Sequence, residues 1–365
     1  MTTALRLSFT LMTSLLTLAG CATTIVPDWA TIAARNPAPI VTASRETDAV
    51  RTANADAADD PAIWRNATSP AASLIVATDK KAGLNVYDLT GRQRHFIDAG
   101  RVNNVDLIEA TVAGTPMVLV AASDRNDLAV ARIALFRLDT TSARLEPIGT
   151  VPAGVGEAYG ICLAARDGGV DAFVVLKDGT INQVALDLRQ AIPSGAIVRT
   201  MKLATQSEGC VVDPQSRRLY VAEEDVGIWR FDARSSGNRT PVLVAKIDGK
   251  TLVADVEGLA LAVEQGGRRL LVASSQGDNA YALFDLPDER YAARFRIAAG
   301  RVGATSETDG VAVASGDLGP DFPDGLLVVQ DGDNAPHAQN FKLVDWRRIA
   351  ALNSHVEAPA LAPTP

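Results

Sequence analysis

The chain has 365 residues, of which 47% are hydrophobic and 21% are charged, a composition typical of a globular protein with at least one large core. Its formal net charge of −8 argues against nucleic acid as the natural partner. The same charge would repel a phosphorylated ligand unless cations lay between the protein and the phosphate.

The N-terminus has the features of an export signal. Arg6 precedes an apolar run from Leu7 to Leu18 that is too short to span a membrane. The run ends in the sequence LAGC, which is typical of bacterial lipoprotein cleavage sites and finishes at Cys21. An ordinary secretory signal with a chance cysteine is the alternative. We expect residues 1–20 to be a signal peptide that is removed and Cys21 to carry a lipid.

The segment after the lipid is predicted to be a tether. Residues 21–50 contain three prolines among small polar residues, and the Ala- and Pro-rich residues 351–365 are predicted to be a flexible tail. Residues 51–350 are expected to form the folded domain. Ala22 follows Cys21, instead of an aspartate that could retain the protein at the inner membrane, so the expected location is the outer membrane. A periplasmic or secreted protein is the alternative.

Between these ends, one sequence unit recurs six times. Each unit is an apolar strand, a polar loop and a second strand with an aromatic or aliphatic residue near its end. The units are residues 73–89, 118–139, 171–188, 219–232, 270–285 and 325–346. A spacing of about 50 residues is typical of propeller blades with four strands each. The sequence therefore predicts an all-β fold, a six-bladed β-propeller, with a two-sheet sandwich as the alternative.

A propeller would gather residues that are far apart in the sequence. We expect the loop after the innermost strand of each blade to reach one face of the central channel. Charged residues in the loops of all six units would then form a single cluster.

Two cysteines lie inside the predicted domain. Cys162 and Cys210 each occupy an apolar, strand-like run, as small buried core residues often do. Export would permit a disulfide between them. We predict two free cysteines.

Six acidic turns follow the repeat. In the first of them, Pro61 imposes extended geometry on Asp60. All six supply mainly side-chain oxygens, the ligand atoms that Ca²⁺ prefers. A single such turn is better explained as a solvated loop, but six in register with the repeat favour a site for several metal ions. No EF-hand loop is present, so a metal site would have to be assembled from several blades. The turns are Asp56–Trp64, Asn103–Asp106, Glu208–Gly209, Ala222–Asp225, Asp255–Gly258 and Glu307–Gly310.

Basic residues occupy matching loops of the first three units. Lys80 and Lys81 lie in the first, Arg125 in the second and Lys177 in the third. Arginine presents a planar fork that suits phosphate, and lysine presents a point charge. Surface charge that only improves solubility is the alternative interpretation. The pattern predicts a face on which metal ions and phosphate meet.

Other hydrolytic chemistries lack their motifs. The three histidines stand in no phosphatase or metalloprotease context, and neither Cys162 nor Cys210 is followed by the arginine of a cysteine-phosphatase loop. No GxSxG elbow and no Walker loop occurs. A hydrolase built on this sequence would therefore use metal-activated water.

The residues that carry these patterns resemble one known family. The segments AADDPAIW, TDKKAGLNVYDLTG, NNVDL, EAYGICL, SEGC, LYVAEEDVGIWRFD, DVEGLAL, LLVASSQGDNAYALFD, ETDG and GLLVVQDGDN with NFKLVDW cover about residues 50–346 in order, and they resemble β-propeller phytases. The resemblance implies a six-bladed propeller that binds several Ca²⁺ ions. It implies a phosphoric monoester hydrolase of the 3-phytase type that acts on phytate, as a calcium complex, by attack of metal-activated water.

The resemblance also implies roles for individual residues. Tyr159 belongs to the catalytic site, and Lys80, Arg125 and Lys177 fall where phosphate oxygens are held. Glu224 is expected both to bind metal and to be required for turnover, and Asp56 and Asp59 to serve structural calcium sites. The expected catalytic calcium ligands are Asp60, Asn104, Asp106, Glu208, Glu224, Asp255, Glu257 and Asp309.

One departure from the family pattern concerns a structural calcium site. Members often place an aspartate shortly before the turn that contains Asp309, but here that stretch is Gly303-Ala304-Thr305-Ser306. Asp331 and Asp333, the other expected ligands, are present. We expect this structural site to be weakened or absent.

Two other functions remain as alternatives. A calcium-dependent propeller lactonase would use one principal metal and would need no basic cluster. A non-enzymatic propeller would bind a polyanion or a protein at the same face without releasing phosphate. The expected partner is a small molecule, the only expected membrane contact is the lipid anchor, and a monomer is expected because closed blades leave few free strand edges.

Overall fold

The computed structural model describes Thr31 and residues 34–353, so the predicted signal peptide and Cys21 lie outside the described residues. The described residues form 25 β-strands, 3₁₀ turns at Pro70–Ala72 and Gln276–Asp278, and one C-terminal helix, α1, at Trp346–Asn353. None of the helices in this part of the chain has the length and apolar character needed to cross a membrane.

Strands β3 to β14 form three four-stranded antiparallel sheets, one after another along the chain. Blade 1 contains β3 to β6, at Ala58–Trp64, Leu74–Asp79, Gly83–Asp88 and Gln93–Asp98. Blade 2 contains β7 to β10, at Val102–Val112, Thr115–Asp124, Val130–Asp139 and Arg144–Val155. Blade 3 contains β11 to β14, at Ala158–Arg166, Gly169–Leu176, Thr180–Asp187 and Ser194–Lys202.

The other three blades complete a ring, and the N-terminal strands β1 and β2 close it. Blade 4 contains β15 to β18, at Ser207–Asp213, Arg218–Glu223, Gly227–Asp232 and Val242–Lys246. Blade 5 contains β19 to β22, at Val256–Val263, Arg269–Ser275, Ala280–Leu286 and Arg290–Ala298, with β1 at Ile40–Thr42 as a fifth, parallel strand. Blade 6 contains β23 to β25, at Val311–Ser315, Gly325–Asp331 and Asn340–Asp345, and its outer strand is β2 at Arg45–Glu46.

This arrangement confirms the predicted six-bladed propeller. The first strand of each blade lies beside the first strand of the next, and β23 of blade 6 returns to β3 of blade 1. The second strands, such as Leu74–Asp79, are buried throughout because neighbouring blades pack on both of their faces. Outer strands such as Ser194–Lys202 are mostly exposed. Blades 1 and 6 pack through Ile75 and Tyr87 against Leu326 and Val328.

The predicted boundary of the tether at residue 50 is corrected by the structure. Residues Ile40–Thr42 and Arg45–Glu46 are strands of blades 5 and 6 and therefore belong to the propeller. The prolines before these strands resembled a linker, and two or three residues are too few to show a strand period. Only pairing with Arg290–Ala298 and Asn340–Asp345 makes them strands.

A second correction concerns the loops that build the functional face. In an antiparallel blade, the start of the first strand meets the loop between the second and third strands at the same end. The backbone N–H of Lys80 accordingly donates to Ala57 O at 2.7 Å, and that of Lys177 donates to Glu157 O at 3.1 Å. The loop after the innermost strand, which we predicted to form this face, leaves from the opposite end.

The prediction of two free cysteines was wrong. Cys162 and Cys210 form a disulfide, with their Cα atoms 5.8 Å apart. Cys162 lies on β11 and Cys210 on β15, the innermost strands of blades 3 and 4, which run side by side. The two residues are 48 positions apart in the sequence, and only the stacking of blades brings them together. The disulfide links two blades at the wall of the central channel.

Candidate metal and phosphate site

A cavity of 1180 Å³ opens at the end of the propeller where the first strands begin. Its walls carry far more acidic than basic groups, and blades 1, 4, 5 and 6 supply the acids. The residues predicted to act in function that line it are Asp56, Lys80, Tyr159, Glu208, Glu224, Asp255, Glu257, Asp309 and Asp333. We call this cavity the mouth.

Three glutamates form the centre of the mouth. One carboxylate oxygen from each of Glu208, Glu224 and Glu257 lies within 4.8 Å of the others, and the residues are 4%, 7% and 5% exposed. Oε1 of Glu224 and Oε2 of Glu257 are buried and accept no hydrogen bond from the described residues. Unpaired buried carboxylate oxygens are unfavourable unless a cation binds them. Three converging carboxylates therefore fit a hard divalent cation such as Ca²⁺.

The charges in this cluster oppose one another. Burial raises the pKa of Glu208 well above its ordinary value, and the carboxylates of Asp59 and Asp309 raise it further. Burial likewise raises the pKa of Glu257, with additional contributions from Glu208 and Asp309, and it raises the pKa of Glu224 to about 7. Without bound cations, the cluster would therefore tend to take up protons.

Lys80 partly compensates these charges. Its Nζ lies 2.9 Å from carboxylate oxygens of Asp56, Asp59 and Asp309, and its side chain is 11% exposed. Burial lowers the pKa of Lys80, but Asp59 and Asp309 raise it more, so the net shift is upward. Lys81 is exposed. Lys80 is therefore the lysine of this pair that faces the mouth.

Three of the predicted calcium ligands lie deeper, in the channel. Asp60, Asn104 and Asp106 line a separate cavity of 260 Å³ below the mouth. Asp60 Oδ2 accepts a hydrogen bond from the backbone N–H of Val105 at 3.0 Å, and Asp106 accepts from the N–H groups of Leu107 and Leu163, both at 2.7 Å. Burial raises the pKa of Asp106 to about 6. The structure thus divides the predicted ligand set into two layers.

Two of the three predicted phosphate-binding side chains meet around one aromatic ring. Arg125 Cζ lies 5.5 Å from the centroid of the Tyr159 ring, and Lys177 Nζ lies 4.9 Å from it. Arg125 also forms an ion pair with Glu157. Gln206 Nε2 donates to Glu224 Oε2 at 2.7 Å and to the Tyr159 hydroxyl at 3.5 Å. A ring flanked by two cations therefore stands directly beside the carboxylate cluster.

Comparison with known proteins assigns this arrangement to a family. A family model described as Phytase matches residues 6–359, which include all six blades. The chain belongs to the phytase family. The 3-phytase of Bacillus subtilis (strain 168) is 39% identical over 324 residues, which cover 85% of this chain and 84% of that protein. These findings confirm the resemblance recognised in the sequence, and with it the assignment of the chain as an enzyme.

The region that departs from the phytase pattern already contains a buried cation. Lys342 Nζ lies 2.9 Å from Asp331 Oδ2 and 2.6 Å from Glu46 Oε2, and its side chain is fully buried. A Cβ placed on Gly303 would lie 3.5 Å from the same Nζ. Asp331 Oδ1 also accepts the backbone N–H of Ser306 at 3.2 Å. Both oxygens of Asp331 are therefore bound by groups of the protein.

Several residues of this face were not predicted from the sequence. Asn103 and Glu157 lie inside the recognised segments NNVDL and EAYGICL, and Gln206 directly precedes SEGC, but no role was predicted for these three residues. Arg35 and Asn36 also line the mouth, although they lie in the predicted tether. Asn36 Nδ2 donates to Lys250 O at 3.0 Å and to Asp278 Oδ2 at 2.8 Å, which holds this segment against blade 5. No sequence pattern indicated that contact.

Proposed function

We propose that this phytase-family enzyme hydrolyses phytate, inositol hexakisphosphate, to lower inositol phosphates and inorganic phosphate in a calcium-dependent reaction. One observation carries the proposal: the glutamate cluster of the mouth, with unpaired buried oxygens, lies beside a tyrosine ring flanked by Arg125 and Lys177. Tyr159 and the three glutamates line the same cavity, so the expected cation site and the expected phosphate site adjoin each other.

The carboxylates would hold the calcium ions. Glu208, Glu224, Glu257, Asp255 and Asp309 supply hard oxygen ligands from blades 4 to 6 and would bind Ca²⁺ in the mouth. When bound, calcium adds positive charge beside the phosphate oxygens and lowers the pKa of an attacking water. This positive charge removes the conflict between an acidic protein and a polyanionic substrate.

The basic residues would orient the phosphate. Arg125 and Lys177 come from blades 2 and 3 and flank Tyr159, which lines the mouth and whose ring supports both cations. Lys80 stands where the carboxylates of Asp59 and Asp309 meet the mouth, so its ammonium can neutralise a phosphate oxygen as well. The described residues that line the mouth include no cysteine and no histidine, which supports attack by water.

Phosphate release from phytate tests the proposal. We expect release to require added Ca²⁺, to stop when EDTA is present in excess, and to return when Ca²⁺ is restored. Circular dichroism at each step would show whether the fold is retained. Undiminished release in the presence of EDTA would rule out the calcium-dependent reaction.

The same assay separates the alternatives. A lactonase would open lactone rings and would not need the cations around Tyr159, so hydrolysis of lactones without release of phosphate would support it. A binding module would retain inositol phosphates in a calorimetric titration and release nothing.

We also propose that Cys21 carries a lipid that holds the enzyme at the outer membrane. The support is the sequence LAGC, followed by Ala22. In bacteria expressing the full chain, a labelled fatty acid is expected to be incorporated into the protein, and Cys21→Ser is expected to abolish labelling. Equal labelling of the C21S variant would overturn the proposal.

A further inference from the structure

Asn103 lies between Arg125, a predicted phosphate-binding residue, and the predicted metal ligands Asn104 and Glu208. It is the second residue of β7 and its side chain is fully buried. Arg125 Nη1 donates to Asn103 Oδ1 at 2.5 Å. Asn103 Nδ2 donates to Glu208 Oε1 at 2.8 Å and to Asn104 Oδ1 at 2.9 Å. One amide thus contacts a predicted phosphate-binding residue and two predicted metal ligands.

The arginine determines which way the Asn103 amide points. A guanidinium has only donors, so the Asn103 atom facing Arg125 must be the oxygen. The Asn103 nitrogen must then face Asn104 and Glu208. If the Asn104 amide were rotated, its own nitrogen would lie 2.9 Å from that nitrogen, and two donors would face each other. The Asn104 oxygen therefore points inward.

This orientation brings three oxygens together. The inward oxygen of Asn104 lies 2.8 Å from Glu208 Oε1 and 3.0 Å from the backbone oxygen of Tyr159. While Glu208 is ionised, all three oxygens are hydrogen-bond acceptors, and none of them can donate a hydrogen bond to another. A rotated Asn104 amide would relieve the repulsion by donating to both oxygens, but Asn103 prevents that rotation. With Glu208 ionised, a bound cation would make the observed arrangement favourable.

We propose that Asn103 is a positioning residue that couples Arg125 to the metal ligands. Asn103 holds the Asn104 oxygen in the orientation that can bind calcium. Arg125 stabilises that orientation because it fixes the Asn103 amide. The proposal rests on the proposed function, because it takes calcium as the cation. It implies that the phosphate-binding arginine assists calcium binding, although both carry positive charge.

Calorimetric titration of the full-length protein with Ca²⁺, after its calcium has been removed, tests this coupling without any activity measurement. Asn103→Ala is expected to weaken calcium binding by about tenfold or more, as the loss of partners behind a metal ligand usually does. Arg125→Met is expected to weaken it by a smaller factor. Simple electrostatics predicts the opposite for R125M, because removing a nearby positive charge favours another cation.

Two further variants complete the test. Lys177→Met removes a cation that flanks the same tyrosine ring but makes no contact with Asn103, and it is expected to bind calcium at least as tightly as the unmodified protein. The double variant N103A/R125M is expected to bind no more weakly than N103A alone, since both changes act through one amide. Circular dichroism would verify that each variant is folded.

The outcomes distinguish the coupling from the proposed function. Calcium binding by R125M that is as tight as, or tighter than, that of the unmodified protein would overturn the coupling, as would additive losses in the double variant. If calcium-dependent phosphate release persisted in that case, the proposed function would stand. Absence of calcium binding by the unmodified protein would overturn both.

Discussion

Glu208→Gln is expected to lower phosphate release from phytate by about a hundredfold or more at saturating calcium, and to stabilise the calcium-free protein against heat. Glutamine has nearly the same shape and keeps an oxygen that can accept from Asn103 Nδ2, which lies 2.8 Å away. The substitution therefore removes charge and leaves packing almost unchanged.

The substitution lowers activity but raises stability because the Glu208 charge has different effects with and without bound calcium. With cations bound, the Glu208 carboxylate helps to hold the positive charge that the substrate phosphate needs. Without cations, it is a buried charge near Asp59, Asp309 and Glu224, and burial together with these neighbours raises its pKa. A neutral side chain at this position removes that repulsion.

Phosphate assays with saturating Ca²⁺, and thermal unfolding with EDTA in excess, measure the two effects. Glu146→Gln is a matched control, because Glu146 is exposed on the outer strand of blade 2 and pairs with Arg137. We expect the control to leave both quantities nearly unchanged. If E208Q lost stability in EDTA as well as activity, Glu208 would have a structural role that the charge argument does not include.

The second large effect is the pH dependence of stability without calcium. We expect the calcium-free protein to unfold at a temperature several degrees lower at pH 8 than at pH 5.5. Saturating calcium is expected to abolish or reverse this difference. The groups responsible are the buried acids of the mouth and channel, whose pKa values are raised in the folded state.

The sign follows from proton binding. An acid with a raised pKa keeps its proton in the folded protein at pH values where the unfolded chain has lost it, so stability falls as pH rises through that window. For Glu224 the window runs from the usual value of 4.5 to about 7, and for Asp106 from 3.8 to about 6. Glu208, Glu257 and Asp309 are shifted upward as well and act in the same direction.

Other groups oppose this trend over different ranges. Acids with lowered pKa values, such as Asp187 and Asp213, contribute stability that is lost only as pH falls below their unfolded values near 4. Burial lowers the pKa of His95, so this residue makes the protein less stable as pH falls below about 6.5. It is a single group with modest burial. The raised acids should therefore dominate between pH 5.5 and 8.

Calorimetric scans in EDTA and in excess Ca²⁺ across this range would measure the effect. The E208Q variant serves as an internal check, since it removes one of the titrating groups and should show a smaller pH dependence in EDTA. Equal unfolding temperatures at pH 5.5 and 8 without calcium would show that the carboxylate cluster does not govern stability.

Much of the fold and of the site could be predicted because the information is local. A strand of apolar residues, a polar turn and a second strand are properties of neighbouring residues, and their recurrence indicates blades. The acidic and basic turns are local as well, since ligand chemistry is a property of the side chain. The sequence alone could therefore identify Glu208, Glu224 and Glu257 as candidate metal ligands, without knowledge of where they lie in the folded protein.

Contacts between blades could not be predicted in the same way. Nothing near Cys162 in the sequence identifies Cys210 as its partner, and nothing in the two residues Arg45–Glu46 marks them as the outer strand of blade 6. Tertiary structure also decided which end of the propeller carries the site. The antiparallel order of the strands in each blade brings Lys80 to the start of β3.

By itself, the sequence determined the number of blades, the kinds of atoms available for metal and phosphate, and the family. Only the tertiary structure decided which of these atoms meet: the three glutamates of the mouth, the tyrosine ring between two cations, and the chain from Arg125 through Asn103 to Asn104. The physical reason is that chemical identity belongs to each residue, whereas distance and amide orientation depend on partners tens to hundreds of positions away.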